Sequence, residues 1–197
     1  TSLNYEIGAK YIGDNFALNT SIFRMDMKDL HVYYINAANS FSTDNVEKGH
    51  SQGVELDGTY FITGNLSLSG AVGLIQAKYD DFDNGKKKFD GDRIQDTPNY
   101  TANLGLSYLP NSGIYGRVDL YAQGSTSFFD SAYKNGEGRM LKADGGITAN
   151  AKVGYKFKDF DIYAYIKNIT DEDYVTQYIP RQDTAWIGFN EPRKFGI

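Results

Sequence analysis

The chain has 197 residues, a formal net charge of −5 and no cysteine, which excludes disulfides and thiolate chemistry and argues against nucleic acid as a partner. Its only histidines, His31 and His50, argue against a histidine-rich metal site. Tyrosine (16), phenylalanine (12) and glycine (21) are abundant and proline (4) is scarce, a composition that favours strands and tight turns within one large domain or part of a larger protein.

The first element, residues 3–12, alternates polar and apolar side chains from its first residue. Leu3, Tyr5 and Ile7 share one face of an extended chain, and Asn4 and Glu6 share the other. This stretch lacks the basic and apolar segments of a secretory leader, so we expect the chain to begin inside a longer fold or to have lost its leader. Mean hydropathy is −0.49, a value that is also compatible with a membrane β-barrel, where only every second residue contacts lipid.

The same alternation continues along the chain and predicts about nine strands. They cover residues 3–12, 16–35, 46–62, 66–79, 99–109, 114–128, 140–157, 161–168 and 193–197. One face of each strand is apolar. Its members include Leu18, Ile22, Val54, Leu56, Leu68, Val72, Leu104, Leu106, Val118, Leu120, Ala151, Val153, Ala164 and Ile166. The opposite face carries small and polar residues, which predicts one oily and one wet side.

The connections between these strands alternate in length. The short ones are residues 13–15, 63–65, 110–113 and 158–160, and the long ones lie near 36–50, 80–98, 129–140 and 169–191. Aromatic residues are concentrated beside the short turns: Tyr11, Phe16, Tyr60, Phe61, Tyr108, Tyr115, Tyr155, Phe157, Phe160 and Tyr163. Aromatic rings favour the membrane–water boundary, so this end of the strands is predicted to lie at one membrane surface.

Two all-β architectures fit the alternation. A soluble antiparallel sandwich explains one wet and one dry face. An antiparallel transmembrane β-barrel also explains the loop asymmetry and the aromatic belt, because strands in a bilayer must pair in a closed sheet and need about 9–11 residues to cross it. The barrel is the preferred interpretation, and segments 16–35, 46–62 and 140–157 are predicted to project beyond the membrane.

Four short elements resemble those of one known family. They are "HSQGVELDGTY" (50–60), "TPNYTANLGLSY" (97–108), "NITDEDY" (168–174) and "NEPRKFGI" (190–197). In this order they resemble the last part of the barrel of TonB-dependent outer-membrane receptors. The resemblance covers nearly the whole chain.

The resemblance implies an outer-membrane location and a twenty-two-stranded barrel, of which residues 1–197 would be the C-terminal nine strands. It also implies a plug domain and a TonB-contact peptide, and neither is visible in this chain. The expected partners are the TonB energy-transducing complex, the receptor's own plug, outer-membrane lipid and a small ligand such as a ferric siderophore. The expected function is TonB-dependent uptake of a scarce nutrient, without a cofactor of its own.

Two groups of residues are candidates for contact with ligand or plug. Loop segment 128–139 combines aromatic and cationic groups that suit ligand capture, namely Phe128, Phe129, Tyr133 and Arg139. Charged residues on the wet face are predicted to face the lumen and the plug: Glu55, Asp57, Arg117, Asp119 and Lys152. A plain solvated loop is the competing interpretation of the first group. The competing interpretation of the second group is that these charged residues are catalytic. The sequence has no nucleophile–base pairing or metal signature to support it.

Three other motifs are interpreted as ordinary loop features. "DDFDNG" (80–85) resembles a calcium loop but lacks the bidentate glutamate at its twelfth position. "KKK" (86–88) lies among acids and is predicted to be solvated, and Asn168 of "NIT" is predicted to cap a turn. An enzyme is not expected. The alternatives to a transport receptor are a soluble adhesin-like binding domain and a passive porin without a plug.

Overall fold

The computed structural model describes residues 1–35, 40–181 and 184–197, and their regular structure is almost entirely β-strand. Thirteen strands are present in these residues: β1 (Ser2–Ile12), β2 (Phe16–Ile35), β3 (Phe41–Phe61), β4 (Leu66–Asp81), β5 (Tyr100–Tyr108), β6 (Gly113–Gln123), β7 (Thr126–Asp130), β8 (Arg139–Ala143), β9 (Ile147–Phe157), β10 (Phe160–Lys167), β11 (Val175–Pro180), β12 (Ala185–Phe189) and β13 (Lys194–Gly196). A 3-10 turn, η1 (Tyr133–Asn135), lies between β7 and β8. No helix in the described part of the chain has the length and apolar character needed to cross a bilayer.

Nine strands form one antiparallel sheet in the order β1-β2-β3-β4-β5-β6-β9-β10-β13. Each strand therefore pairs with its predecessor along the chain, once β7–β8 and β11–β12 are set aside as separate two-stranded hairpins. Among the described residues β1 and β13 are not paired with each other, so the sheet is open and has the form of a barrel segment. The predicted all-β, antiparallel barrel fragment of about nine strands is confirmed.

Two predicted strands are too long at the loop end. Segment 114–128 divides, because β6 ends at Gln123 and residues from Thr126 onward pair with β8 instead. Segment 140–157 divides in the same way between β8 and β9, so its first part does not extend the barrel wall. The predicted long connection 169–191 contains the β11–β12 hairpin.

The β2–β3 hairpin has the longest strands described and extends far toward the long-loop end of the sheet. The two strands have 20 and 21 residues and stay in register from Phe16↔Tyr60 to Ile35↔Phe41. The predicted connection 36–50 is therefore wrong from Phe41 onward, since residues 41–50 belong to β3, and residues 36–39 lie outside the described ranges. At about 3.4 Å per residue, roughly half of each strand suffices to cross a bilayer, so the remainder projects beyond it.

The pairing register confirms that the apolar positions of neighbouring strands lie on one face of the sheet. Side chains of directly paired residues lie on the same face of a sheet. One continuous row joins Ile22, Val54 and Leu74, and another joins Leu106, Val118 and Ala151, so the apolar positions share a single face. No second sheet covers this face within the described residues, and Ile22, Val54 and Leu74 are 57%, 42% and 54% exposed. A two-layer sandwich with a dry interior is therefore wrong.

Candidate functional site

The outward face carries a belt of aromatic rings at the short-turn end. Its members are Tyr11, Phe16, Tyr60, Tyr108, Tyr155, Phe157 and Phe160, all exposed. Tyr11 and Phe16 stack across the first turn with ring centroids 5.0 Å apart. Phe61, Tyr115 and Tyr163, which the sequence also places beside these turns, lie on the inner face through their pairing with Ser67 and Gly154.

The inner face is polar and partly cross-linked by its own charges. Arg117 donates from Nε to Asp119 Oδ1 (2.8 Å) and from Nη1 to Ser107 Oγ (3.0 Å). Asn19 donates from Nδ2 to Asp57 Oδ2 (2.8 Å). The Glu55 carboxylate has no hydrogen-bond or ion-pair partner among the described residues, and it is exposed. The charged residues Glu55, Asp57, Arg117 and Asp119 thus share the inner face, with Arg117 and Asp119 paired to each other.

A second polar group on the inner face lies near the short turns. Tyr115 donates to Asp161 Oδ1 at 2.7 Å, although its own side chain is only 5% exposed. The ammonium of Lys152 lies 3.7 Å from the centroid of the Tyr163 ring, a cation–π contact. The sequence placed Lys152 and Tyr163 on this face but gave no sign that they touch, because they come from different strands.

The long loops enclose the one aromatic core of the described residues, at the end of the sheet opposite the short turns. Its buried members are Val32, Val46, Tyr79, Phe82, Phe89 and Phe129, with Leu30, Ile94 and Met140 packed around them. Phe82 and Phe89 come from the loop between β4 and β5, and Phe129 comes from β7. Their ring centroids lie 5.2 to 5.5 Å apart, so the two loops form one packed unit.

The acidic segment 80–85 forms a turn beside this core. Asp83 accepts a hydrogen bond from the Gly85 amide (2.8 Å), so it supports a turn, and no cluster of metal ligands occurs in the described part of the chain. Burial raises the pKa of Tyr79, beyond the spanning part of β4, to about 12, because ionisation there would place a charge inside the aromatic core. The acidic composition of 80–92 had concealed this core.

The four predicted ligand residues divide into two buried and two more accessible side chains. Phe129 is in the aromatic core, and Phe128, 2% exposed, packs on Tyr178 of β11 with centroids 6.2 Å apart. Arg139 lies over the Tyr133 ring at 4.3 Å and donates from Nε to Asp130 at 2.9 Å. Tyr133 and Arg139 thus form a cation–π pair at the loop surface.

The β11–β12 hairpin is tied to the same unit. Burial raises the pKa of Tyr178, and the nearby Asp130 carboxylate acts in the same direction. The hydroxyl therefore stays protonated beside Asp130, which already accepts a hydrogen bond from Arg139.

Asn168 fixes the path of the last long loop. Its backbone has φ 49° and its side chain is 2% exposed. Nδ2 donates to the carbonyl oxygens of Glu172 and Glu191 (both 3.0 Å), and Oδ1 accepts from the Glu172 amide (3.1 Å). Asn190 donates to the same Glu172 carbonyl at 2.9 Å. The predicted turn cap is confirmed, and it also joins segments 168–174 and 190–197 to each other.

Comparison with known proteins identifies the relatives of this arrangement. The sequence matches the family described as TonB dependent receptor-like, beta-barrel, over residues 1–169. Among solved structures, the ferric yersiniabactin uptake receptor FyuA from Yersinia pestis superposes with a TM-score of 0.76 at 20% identity, over 98% of this chain and 28% of that one.

Two further structures superpose almost as well. The ferric-catecholate import receptor Fiu from E. coli K12 gives a TM-score of 0.72 at 21% identity, over 98% of this chain and 26% of that one. The ferric citrate transporter FecA gives 0.73 at 18% identity, over 98% and 30%. The chain thus spans less than a third of the length of the proteins that it resembles.

Proposed function

The chain belongs to the TonB-dependent receptor family as part of an outer-membrane β-barrel, and from this premise we propose that it serves TonB-dependent uptake of a ferric chelate. Members of this family are receptors and transporters rather than enzymes. The observation that carries the proposal is the sheet itself. Its outward face is apolar, its inner face is polar, and a packed cluster of loops lies at one end of it. Such a wall suits a channel that recognises its cargo on one side of the membrane and admits it through the lumen.

A ferric siderophore is the cargo that we propose. Three of the solved relatives are named for ferric yersiniabactin, ferric catecholates and ferric citrate, which are iron complexes with different chelators. Iron is the element that these three share, while the chelator differs from one to another, and a further similar structure is that of a copper transporter, OprC. This chain is only 18–21% identical to each of these receptors, so the chelator is to be determined by experiment.

Residues 1–197 would form the C-terminal nine strands of a twenty-two-stranded barrel. The plug domain and the TonB-contact peptide would belong to the rest of the receptor. In this arrangement the inner face contacts the plug, and Glu55 and Asp57 would accept hydrogen bonds from it. Glu55 is the stronger candidate, because Asp57 already accepts from Asn19 whereas the Glu55 carboxylate has no partner in the described ranges. Arg117 and Asp119, which neutralise each other, would contribute a smaller net attraction.

Ligand contact would fall mainly to Tyr133 and Arg139. Arg139 is a cation whose side chain is 44% exposed, and it lies against an aromatic ring that a planar chelator could also stack on. Phe128 and Phe129 would take part through the position of the loop, because both side chains are buried against other loop residues. The four residues thus act as one loop, two in contact with ligand and two beneath it.

The direct experiment is uptake of radioactive ⁵⁵Fe by cells that make the complete receptor as their only one of this class. Iron-limited cells are supplied with ferric complexes of a catecholate, a hydroxamate, citrate or a phenolate chelator. We expect one complex to be bound at the surface and accumulated, and accumulation but not surface binding to stop when TonB is deleted. The matched loop variants are Arg139→Gln, expected to weaken binding several-fold, and Lys142→Gln, which removes a nearby charge from β8.

Two other results would replace the proposal. Accumulation that persists without TonB would favour the passive porin. Absence of any ferric complex at the cell surface, with another scarce nutrient bound instead, would keep the receptor but change its cargo.

A further inference from the structure

The outward face of β2, β3 and β4 changes chemistry abruptly above the apolar band. The last apolar row pairs Ile22 with Val54 and Val54 with Leu74. The next row outward pairs Arg24, Gln52 and Gln76, which are joined by side-chain hydrogen bonds of 2.9 Å and 3.0 Å. This amide row marks the upper limit of the surface that suits hydrocarbon.

Cations follow directly above the amide row. His50 and Lys78 form the next row, and Arg93 of the following loop is bridged to Lys78. One row further out, Lys28 is paired with Lys48. Successive rows on one face are about 7 Å apart along the strands. The backbone positions of these cations therefore lie about 7–14 Å beyond the amide row, a distance that overlaps the headgroup layer of a bilayer.

These four cations differ from Arg24 and His50 on the same face, which are both paired with carboxylates. Within the described part of the chain no ion pair or side-chain hydrogen bond is made by Lys28, Lys48, Lys78 or Arg93. Two nearby carboxylates are engaged by other groups: Asp26 pairs with Arg24 at 2.9 Å, and Asp80 with His50 at 2.8 Å. Asp81 is the register partner of Lys48 but makes no ion pair with it.

We propose that Lys28, Lys48, Lys78 and Arg93 form a ledge that binds the phosphate groups of phosphorylated lipids in the outer leaflet. The proposal rests on the outer-membrane position of the barrel and is independent of its cargo and of TonB. Charge complementarity favours an anion, since the whole chain has a net charge of −5 and yet collects four unpaired cations here. Continuity with the apolar band favours a lipid, because a phosphate held here would have its acyl chains beside Ile22, Val54 and Leu74.

The test uses the complete receptor, extracted in mild detergent, stripped of lipid and titrated with bis-phosphorylated lipid A. The ledge variant carries Lys28→Gln, Lys48→Gln, Lys78→Gln and Arg93→Gln. A matched control removes four positive charges elsewhere, at Lys10, Lys88, Lys142 and Lys158. Native mass spectrometry counts bound lipid, and dephosphorylated lipid A and inorganic phosphate serve as the two comparison ligands.

We expect the ledge variant to bind bis-phosphorylated lipid A at least about tenfold more weakly, since each cation near an anionic lipid surface contributes several-fold. The control is expected to stay within twofold of the unmodified receptor, and dephosphorylated lipid A to bind all three proteins alike. Should the ledge variant fail to fold, judged by heat-modifiable electrophoretic mobility, the pair Lys28→Gln and Lys48→Gln is expected to give about threefold weakening by the same reasoning.

Three results would overturn the proposal. Equal binding of bis-phosphorylated lipid A by the ledge variant and the control would show that the cations do not contribute. Equal weakening for dephosphorylated lipid A would assign the effect to apolar contact. Competition by inorganic phosphate at similar affinity would indicate a soluble anion as the occupant. Uptake of ferric complexes is measured in parallel, and its loss with normal lipid binding would concern the proposed function alone.

Discussion

The Tyr115 ring lies directly across Gly154 on the neighbouring strand β9. A side-chain Cβ at position 154 would come within 2.6 Å of the ring carbon Cε1, and the tyrosine hydroxyl continues past the glycine to Asp161 at 2.7 Å. The absence of a side chain at Gly154 is therefore what permits Tyr115 to lie flat against the inner face. This relationship links three strands through one residue without a side chain.

Replacing this glycine is expected to destabilise the barrel. Gly154→Ala places a methyl group against the ring, and overpacking of this kind costs about 1–3 kcal/mol. The measurement is the urea midpoint of the complete receptor in lipid vesicles, followed by electrophoretic mobility. Gly64→Ala is the control, because a Cβ there has nothing within 4 Å. Adding Tyr115→Ala should remove most of the penalty of Gly154→Ala, and strictly additive effects would contradict the overlap.

A charge is expected to be tolerated on only one face of the sheet. Val118→Arg places a guanidinium on the lipid-facing side, which costs about 2–4 kcal/mol near the bilayer centre. Asn103→Arg, on the inner face, is expected to cost much less. The free energy of folding into vesicles of matched thickness measures both. Similar losses for the two variants would mean that the face assignment is incorrect.

The faces of the sheet were predictable because strand side chains alternate with a period of two, so one apolar position determines its whole row. The alternation around Val118 or Leu106 is therefore sufficient to predict the lipid-facing side. The same signal could not detect where a strand leaves the sheet. Alternation continues through Gln123 into Thr126, while the change of pairing partner depends on β8, a segment that follows in sequence.

The loop core was hidden for a different reason. Phe82 and Phe89 stand among aspartates and lysines, so local composition predicted a wet loop. Their burial depends on Phe129, 40 residues after Phe89, which packs against both rings. Non-local contacts of this kind have no local pattern, and the same is true of the ties from Asn168 to the carbonyl of Glu191.

Loss of one ring from the loop core should release the loops and leave the barrel intact. Phe89 is 1% exposed and contacts Phe82 and Phe129, and a buried Phe→Ala change costs about 3–5 kcal/mol. We expect Phe89→Ala to accelerate protease cleavage within 82–94 at least tenfold, with the urea midpoint of the barrel unchanged. Lys88→Ala, at an exposed neighbour, is the control. Unaltered cleavage would indicate that the loops do not depend on this core.

The ties made by Asn168 are expected to be separable by substitution. Asn168→Asp keeps an acceptor for the Glu172 amide but removes the donor to the carbonyls of Glu172 and Glu191. Asn168→Ala removes both functions, and leaving buried polar groups unpaired costs about 1–3 kcal/mol. Hydrogen exchange of amides 169–176 should rise in the order wild type, Asp, Ala. Thr176→Ala, on the β11 hairpin, serves as the control. Faster exchange in Asn168→Asp than in Asn168→Ala would show that the introduced negative charge, rather than the loss of hydrogen bonds, dominates the effect.

Glu191 predicts a pH dependence at the junction of β10 and β13. Hydrogen bonds from Lys194 and then Lys167, both at 3.1 Å, lower the pKa of the Glu191 carboxyl, and the charges of the two lysines act in the same direction. A carboxyl with a lowered pKa in the folded state stabilises that state above its unfolded pKa of about 4.3. This contribution is lost as the pH falls through the lower, folded value.

Glu191→Gln should therefore reduce stability at pH 7, and the difference from wild type should shrink below about pH 4.3 and then disappear. The measurement is the urea midpoint between pH 7 and pH 3 in vesicles of zwitterionic lipid. Glu47→Gln, at an exposed position without an ion pair in the described ranges, corrects for the loss of one negative charge. Added salt should weaken the effect, because the Glu191 side chain is 56% exposed and screening acts strongly there. A difference between Glu191→Gln and wild type that persists unchanged at pH 3 would assign the loss to packing rather than to charge.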